Sequence, residues 1–424
     1  MNLLHQTLLI SFVLAPLLAG AAPSSVSTPE GAAAPPVWQP AWAASPQPVW
    51  GDGFVLPLGM PRTLQDATLR QTLRASLGGK RLRLVVSNEY GTAPLKVGRM
   101  TVRAPGAAPA LAVRFQGADD ALVPPGARLL SDAVALPTQA GDRLQVDLHL
   151  PGTATVAGMH WDAREPALLM QGDATGQPAT PQARALTARA FVTEVLVETG
   201  RPPAAVVAIG DSITDGNGAT PGADQRWPDH LSRRLAPRGV AVLNAGISGN
   251  RLLRDGMGAS ALARFERDVL GRPGVRAVVV LLGTNDIGWP GGPFASTEPL
   301  PSLAELQRGL RQLVEQARAR GVRVVGATLP PFKDALKGTP LEGHYSPEKD
   351  ALRQRLNRWI REAGVFDAVV DFDAVLRDPA DPARLRADFD SGDHLHPGDA
   401  GYRAMAEAID LSALLGAAAA AEVQ

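Results

Sequence analysis

The stretch of residues 204–216 limits the possible folds of this chain more than any other segment. An apolar run, Ala-Ala-Val-Val-Ala-Ile, enters a Gly-Asp-Ser turn there. A run that is apolar on both faces is typical of a buried strand in a parallel sheet. Gly210 allows the backbone to turn sharply where that strand ends. Ligand sites in open α/β sheets lie just beyond the carboxyl ends of the strands, so a reactive side chain is expected near Ser212.

The second half of the chain alternates between strand and helix patterns. Strands are predicted at residues 206–209, 240–243, 277–282, 322–328 and 368–372. Helices are predicted at residues 227–235, 260–270, 302–320, 347–363 and 397–415. Such alternation indicates an α/β fold with a parallel sheet covered on both faces. We therefore predict an α/β domain over residues 200–416, with residues 417–424 as a flexible tail.

The region of residues 38–199 has a different pattern, of short strands separated by Gly, Pro and Asp, with strands predicted at 143–150 and 153–160 among others. Frequent short strands with turn signals indicate an all-β sandwich or a jelly-roll-like domain. Modules of this kind bind carbohydrate or pack on a catalytic domain, and the pattern does not decide between the two. Arg201-Pro202-Pro203 forms the predicted link to the α/β domain. The histidines of this region, His149 and His160, are interpreted as structural.

The N-terminal residues predict export. Residues 8–18 form an apolar stretch that is too short to span a bilayer, and Ala19-Gly20-Ala21 offers a cleavage site of small residues. We expect a signal peptide at 1–21, a linker rich in Ala, Pro and Ser at 22–37, and a periplasmic or secreted protein. Stable membrane insertion is not expected. The 424-residue chain has 42 basic residues, 42 acidic residues and no cysteine, so we predict no nucleic-acid partner and no disulfide or thiol chemistry.

Four polar segments of the second half follow predicted strands or precede the last helix, so they can share one edge of the sheet. They are Gly210-Asp211-Ser212, the Asn244–Asn250 segment, Gly283-Thr284-Asn285-Asp286 and Asp393-His394-Leu395-His396-Pro397. A serine becomes a nucleophile when a histidine accepts its proton, and a carboxylate orients that imidazole. The oxyanion that develops needs fixed donors, which a glycine N–H and the Asn285 amide supply. These residue types together indicate acyl transfer.

The four segments, in this order, resemble the blocks of the SGNH hydrolases, also called the GDSL lipase/esterase superfamily. The resemblance covers about residues 204–415 and implies a flavodoxin-like three-layer α/β/α fold. It implies Ser212 as nucleophile and oxyanion donor, Gly249 and Asn285 as further oxyanion donors, and Asp393 with His396 as the remaining triad members. The Asp-x-x-His spacing ahead of proline selects His396 over His394. Ile213 stands where the tighter family motif has leucine, which places the chain in the looser GDS branch.

Other polar residues near the four segments are assigned lesser roles. Asn217 and Asn250 are candidate substrate-binding residues, because they lie beside the first two segments. Asp286 is interpreted as orienting its neighbours. His230 and His344 are interpreted as residues of a loop or a helix surface.

The function predicted from the sequence is a serine esterase that removes short acyl groups, most plausibly acetyl, from a carbohydrate or another small ester. No cofactor and no metal are expected. A lipase or thioesterase on longer acyl chains and a non-catalytic carbohydrate-binding protein remain alternatives. A metal-dependent phosphoesterase fits less well, because the Gly-Asp-x-x-Asp pattern is absent: Asp215 is one residue too far from Asp211. No sequence feature predicts the oligomeric state.

Overall fold

The computed structural model describes residues 36–104, 106 and 109–416. The predicted signal peptide, all but the last two residues of the predicted linker, and the predicted C-terminal tail lie outside these residues. No described helix has the length and apolar character needed to cross a membrane.

The first half of the described chain consists of strands that pair antiparallel. These strands are β1 Val37–Ala43, β2 Gln47–Pro48, β3 Thr63–Arg74, β4 Leu82–Ser87, β5 Leu95–Val97, β6 Met100–Arg103, β7 Leu111–Val113, β8 Ala121–Val123, β9 Arg128–Leu130, β10 Arg143–Thr155, β11 Gly158–Met159, β12 Ala167–Gln171, β13 Arg184–Leu186 and β14 Val192–Thr199. A four-stranded sheet has the order β1-β14-β4-β9, and a six-stranded sheet has the order β13-β12-β3-β10-β6-β7. The short strands β2 and β11 pair with each other, as do β5 and β8. The prediction of an all-β region is confirmed.

The longest strand of this region corrects the sequence prediction. Separate strands were expected at 143–150 and 153–160, on either side of Pro151-Gly152. The structure instead has the single strand β10, whose pairing with β3 shifts register between Leu150 and Thr153. Gly152 has a φ of +68°, which a glycine adopts without strain, so the chain makes a bulge there rather than a turn.

The second half contains five parallel strands with helices between them: β15 Ala205–Gly210, β16 Ala241–Gly246, β17 Val275–Leu281, β18 Arg323–Ala327 and β19 Ala368–Val370. Their order in the sheet is β16-β15-β17-β18-β19. The helices are α1 Ser212–Asp215, α2 Trp227–Leu235, α3 Ala261–Phe265, α4 Thr284–Gly288, α5 Leu303–Ala319, α6 Pro347–Glu362, α7 Phe372–Leu376, α8 Asp399–Glu407 and α9 Leu411–Leu415. This parallel α/β architecture confirms the predicted fold class.

Two helices differ from the prediction. The last one, expected over 397–415, is divided into α8 and α9, because Asp410 accepts hydrogen bonds from the backbone N–H groups of Ser412 and Ala413 and starts a new helix. The helix expected over 260–270 begins as α3 and continues as a π-helical turn over Glu266–Leu270.

The two halves share one continuous hydrophobic core that extends from Ala41 to Leu415. Gln39 on β1 donates to the carbonyl of Ala204 at 2.5 Å, and the backbone N–H of Val242 on β16 donates to Ser76 Oγ at 3.3 Å. The β-rich half therefore packs beside β16, the edge strand of the parallel sheet. The predicted boundary at residues 199/200 falls between β14 and β15, and it stays a prediction.

Candidate active site

The nucleophile candidate, Ser212, is the first residue of α1 and follows the end of β15. The Asp211 side chain accepts a hydrogen bond from the Ile213 N–H at 3.0 Å and so caps this helix. A side chain at position 210 would not fit, because a Cβ there would lie 2.0 Å from Thr214 Oγ1 and 2.9 Å from the carbonyl oxygen of Leu281. Close backbone packing thus requires Gly210, which brings Ser212 to the carboxyl edge of the sheet.

A continuous hydrogen-bonded chain joins Ser212, His396 and Asp393. Nε2 of His396 lies 2.8 Å from Ser212 Oγ, and Nδ1 lies 2.6 Å from Asp393 Oδ2. A carboxylate only accepts, so Nδ1 carries a proton and Nε2 of the neutral ring is free to accept the serine proton. The structure brings together the three residues that the sequence placed in a triad.

Asp393 is held in its charged form. Burial alone would raise its pKa, but the hydrogen bond to His396, the charge of His396, and the backbone N–H groups of His396 and Leu395 together hold the pKa well below its usual range. Those two N–H groups donate to Asp393 Oδ1 at 2.8 and 2.9 Å. Asp393 is therefore a fixed carboxylate that orients the imidazole.

The neighbouring histidine, His394, faces away from this chain of residues. Its Nδ1 lies 2.5 Å from Asp390 Oδ2, and 45% of its side chain is exposed. Its φ of +61° turns the backbone between the two histidines. His394 thus pairs with the Asp390 carboxylate, while His396 contacts the serine.

The loop after β16 brings Gly249 to the same edge of the sheet. Gly249 has a φ of +72°, and a Cβ there would lie 2.2 Å from Met257 Sδ and 2.9 Å from a ring carbon of Trp289. On either side, the Ser248 N–H donates to Asp215 and the Asn250 N–H donates to a carbonyl. Within the described residues, the Gly249 amide donates to no acceptor, so it is free to bind an oxyanion.

Asn285 lies in the first turn of α4, directly after β17. Its Nδ2 donates to the carbonyl of Asn250 at 3.0 Å, which ties α4 to the loop that contains Gly249. Strands β16, β15 and β17 are neighbours in the sheet, and Gly210 pairs in register with Gly246 and with Leu281. Gly249, Ser212 and Asn285 therefore follow the carboxyl ends of three adjacent strands, as the resemblance implied.

The structure assigns different surroundings to the two asparagines that were predicted to bind substrate. The Asn250 side chain has no exposed surface; its Nδ2 donates to the Ala259 carbonyl at 2.7 Å and its Oδ1 accepts from Arg264 at 2.9 and 3.0 Å. A substrate cannot reach it, so its predicted role as a binding residue is wrong. Asn217 is half-buried and its Oδ1 lies 3.1 Å from Ser248 Oγ, so its role stays a prediction.

A histidine of the β-rich half contacts the last residue of α1, the helix that Ser212 begins. His160 Nε2 is 2.9 Å from Asp215 Oδ1, and Nδ1 is 3.0 Å from the Ser45 carbonyl oxygen. Asp215 ends α1, and its Oδ2 accepts from the N–H and the Oγ of Ser248 at 3.1 and 2.8 Å. No spacing within the sequence predicts this contact, because its partners are 55 residues apart and belong to different halves of the chain.

Two further buried carboxyl groups, those of Asp211 and Asp286, follow the ends of β15 and β17. Burial raises the pKa of Asp211 to about 7, opposed by the Ile213 N–H and the charge of His396. Burial also raises the pKa of Asp286, whose carboxylate accepts from the backbone N–H groups of Leu252 and Leu253, in agreement with an orienting role.

His344 lies in the loop before α6, one of the two kinds of position expected for it. It is nevertheless 5% exposed, and its Nε2 has no partner among the described residues. A Cβ on Gly288 of α4 would lie 2.1 Å from that nitrogen, so the missing side chain at Gly288 makes room for the ring. Burial, and then the charges of Lys349 and His396, lower the pKa of His344 to about 3. It is therefore a neutral imidazole near the triad.

An aromatic cluster, formed by Trp50, Phe54, Trp161, Trp289 and Phe294, lies beside Gly249. Ring centroids are 4.6 Å apart for Trp289 and Phe294, 5.7 Å for Phe294 and Phe54, 4.3 Å for Phe54 and Trp50, and 5.5 Å for Trp50 and Trp161. Trp289 is the ring that packs against Gly249. Phe54, Trp161 and Phe294 are only partly buried, so the cluster presents apolar ring surface to solvent.

A residue next to the aromatic cluster lies within electrostatic range of His396. Asp162 follows Trp161, and burial raises its pKa, opposed by Arg164 and by the charge of His396, which therefore lies within electrostatic range. The β-rich half thus contributes residues to the surroundings of the candidate triad. Over the part of the chain that is described, no cluster of three or more His, Asp or Glu side chains has the arrangement of a metal site.

The five-stranded parallel sheet, with Ser, Gly, Asn and His at its carboxyl edge, defines a hydrolase of the SGNH class. Residues 208–404 match the model of the GDSL-like lipase/acylhydrolase family. This stretch of the chain belongs to that family, and the protein is an esterase of the SGNH type. Comparison with proteins of curated function gives no match.

Solved structures of low identity match about half of the chain. A carbohydrate acetylesterase family member from Sinorhizobium meliloti has 20% identity, with 50% of this chain and 99% of that chain covered and a TM-score of 0.39. An α/β hydrolase from the metagenome of Lake Arreo has 23% identity, coverages of 50% and 96%, and a TM-score of 0.36. A GDSL-like lipase from Bacteroides thetaiotaomicron has 21% identity, coverages of 51% and 88%, and a TM-score of 0.35. Similarity at this level carries no argument about substrate.

Proposed function

We propose that the protein is a serine esterase that hydrolyses carboxylic esters through an acyl-enzyme on Ser212. The observation that carries this proposal is the unbroken chain from Ser212 Oγ to His396 at 2.8 Å and from His396 to Asp393 at 2.6 Å. The base lies within hydrogen-bonding distance of both the nucleophile and the orienting acid, which is the arrangement that acyl transfer needs.

In the first step, Ser212 Oγ attacks the carbonyl carbon of the ester while His396 Nε2 takes the serine proton. Asp393 stays ionised and stabilises the imidazolium, since its pKa is well below neutrality. The C–O bond to the alcohol then breaks, and His396 returns the proton to the leaving alkoxide. The products of this step are the free alcohol and an ester of Ser212.

The oxyanion of the tetrahedral intermediate needs donors that are already in place. Three donors follow neighbouring strands: the backbone N–H groups of Ser212 and Gly249 and the side-chain amide of Asn285. Neither of the two backbone N–H groups donates to another described residue. In the second step, water attacks the acyl-enzyme with His396 as base, and the same donors bind the second oxyanion. The acid is released and Ser212 is restored.

We propose acetyl and other short acyl groups, carried by a carbohydrate or another small alcohol, as substrates. The side of Gly249 that a Cβ would occupy is closed by Met257 and Trp289, which favours a small acyl group at the oxyanion donors. The partly exposed rings of the aromatic cluster offer flat apolar surface, on which the face of a sugar or of another ring can stack. Longer acyl chains are the competing possibility.

The test is the hydrolysis of nitrophenyl esters from acetate to palmitate, with an acetylated polysaccharide alongside. We expect kcat/KM to fall as the acyl chain lengthens, and we expect Ser212→Ala to remove activity. Ser391→Ala is the matched control, because Ser391 is an exposed serine on the loop that carries His396. A maximum at long chains would identify a lipase or thioesterase. Binding of the polysaccharide without hydrolysis of any ester would identify a carbohydrate-binding protein.

We also propose that the protein is exported to the periplasm or secreted. The support is the apolar stretch at residues 8–18 followed by small residues in the sequence. Expression of the full chain followed by cell fractionation tests this proposal. A mature protein that begins near residue 22 outside the cytoplasm is expected, and an uncleaved cytoplasmic protein would contradict it.

A further inference from the structure

A buried hydrogen-bonded chain runs from the β-rich half to the loop that contains Gly249. It begins at the Ser45 carbonyl, which lies 3.0 Å from His160 Nδ1, and continues from His160 Nε2 to Asp215 Oδ1 at 2.9 Å. It ends where Asp215 Oδ2 accepts from both the N–H and the Oγ of Ser248. His160 is 7% exposed, and Asp215 and Ser248 are each 1% exposed, so water does not compete for these bonds.

The protons of the His160–Asp215 pair follow from its partners. A carbonyl oxygen only accepts, so His160 Nδ1 must donate to Ser45. The contact between Nε2 and Asp215 then needs a second proton, held by either the ring or the carboxyl group. The pair therefore holds two protons, and removing the imidazole removes the hydrogen-bonding partner of a buried carboxylate. Such a loss is costly inside a protein, where the charge is poorly solvated.

Asp215 fixes two elements of the proposed oxyanion site at once. It is the last residue of α1, and Ser212 is the first residue of the same short helix. Its partner Ser248 directly precedes Gly249. The end of β16, from which this loop leaves, packs on the backbone of α1, since a Cβ on Gly246 would lie 2.3 Å from the Asp215 backbone nitrogen. The spacing between the Ser212 amide and the Gly249 amide therefore depends on where the Asp215 carboxylate is held.

We infer that His160 is a positioning residue for ester hydrolysis: through Asp215 and Ser248 it holds the Ser212 and Gly249 amides at the spacing that the oxyanion needs. The inference rests on the proposed function of Ser212 and Gly249. It makes the β-rich half a supplier of part of the catalytic apparatus. His160 itself touches no reacting atom, so its removal acts on the transition state and not on substrate binding.

Two substitutions separate this role from simple packing. In His160→Gln, the side-chain amide reaches the place of Nε2 and donates to Asp215. In His160→Asn, the shorter amide reaches the place of Nδ1, donates to Ser45 and leaves Asp215 without its partner. Each variant loses one buried hydrogen bond, so a purely structural role predicts similar losses of activity and of thermal stability for both.

The positioning role predicts a difference in kcat on nitrophenyl acetate. We expect His160→Asn to lower kcat roughly 10- to 100-fold, below the usual loss of a whole oxyanion donor, with KM changed less than about threefold. His160→Gln is expected to stay within about fivefold of the parent. Equal kcat values for the two variants, or an effect confined to KM, would overturn the inference.

His149 provides a matched control, because it also belongs to the β-rich half and pairs with an aspartate, Asp66, at 3.0 Å. His149→Asn should leave kcat unchanged. If the His160 variants do not fold, Asp215→Asn and Ser248→Ala test the same chain of bonds: an unchanged kcat in both would equally overturn the inference. Ser212→Ala distinguishes a failure of the proposed function from a failure of this inference. An active Ser212→Ala enzyme would refute the proposed function. An inactive Ser212→Ala enzyme together with a fully active His160→Asn enzyme would refute only the inference about His160.

Discussion

His396 Nε2 lies 2.8 Å from Ser212 Oγ, although the two residues are 184 positions apart in the chain. The contact forms because β15 delivers the serine to the carboxyl edge of the sheet, while the segment before α8 returns to that same edge. The Asp393 carboxylate accepts hydrogen bonds from the backbone N–H groups of Leu395 and His396 and so fixes the segment that carries His396.

The two neighbouring histidines should respond differently to substitution. His396→Ala is expected to lower kcat by roughly 10⁴- to 10⁶-fold, the scale that loss of a triad member can reach. His394→Ala should keep most of the activity, because its half-exposed imidazole pairs with Asp390 and not with Ser212. Steady-state kinetics on nitrophenyl acetate check both variants. A reversed order of effects would mean that His394 is the base.

The amide of Asn285 should contribute to the transition state. Asn285→Ala is expected to lower kcat roughly 10²- to 10³-fold, the usual effect of removing one oxyanion donor. Because Asn285 also donates to the Asn250 carbonyl at 3.0 Å, thermal unfolding of the variant must be measured alongside. A variant with the parent kcat and a raised KM would instead assign Asn285 to substrate binding.

The buried carboxyl group of Asp211 should make stability depend on pH. Burial raises its pKa to about 7 from the ordinary value of 3.8, so between these values the folded protein keeps a proton that the unfolded chain releases. Stability from this group is therefore lost as pH rises from about 4 to about 7. Asp211→Asn keeps an oxygen for the cap at Ile213 and removes the titration.

Relative to the parent, Asp211→Asn is expected to gain stability between pH 5 and pH 8, by about 3 kcal/mol at most. Unfolding temperatures of the parent and the variant at the two pH values provide the measurement. Parallel changes in the two proteins would show that Asp211 is ionised in the fold throughout this range.

The aromatic cluster should act on large substrates more than on small ones. Trp161 is half-buried, and its indole N–H donates to the Pro57 carbonyl at 2.8 Å, so its ring offers apolar surface only. Trp161→Ala is expected to raise KM for an acetylated oligosaccharide about 3- to 10-fold and to leave nitrophenyl acetate nearly unaffected. Trp359→Ala is the control, a half-buried tryptophan on α6 that packs against Phe366. Equal effects of Trp161→Ala on both substrates would contradict a role in binding the alcohol.

The parts of this site that the sequence predicted are those set by strand ends. Ser212, Gly249 and Asn285 each follow an apolar run, and parallel strands in neighbouring positions bring their carboxyl ends to one edge whatever the details of packing. The choice between His394 and His396 came from the family spacing, and the structure explains it by the backbone turn at His394. Local pattern and sheet geometry were sufficient for these residues.

The parts that the sequence missed depend on contacts between distant segments. His160 meets Asp215 only because the β-rich half packs beside β16, and no spacing within either segment encodes that contact. Asn250 was predicted to bind substrate because it lies beside its motif. Its side chain is instead hydrogen-bonded to Arg264 of α3 and to the Ala259 carbonyl. His344 is buried because Gly288 leaves room for its ring, a complementarity of volume that a pattern of polar and apolar residues does not record.

The most direct test of the account is to find where an ester-like inhibitor becomes attached. The protein is treated with a fluorophosphonate, which reacts with activated serines, and the modified peptide is identified by mass spectrometry. The account predicts one adduct, on Ser212, with loss of esterase activity in proportion to labelling, and greatly slowed labelling of His396→Ala. Complete inactivation with the adduct on another serine, or full activity with Ser212 modified, would contradict it.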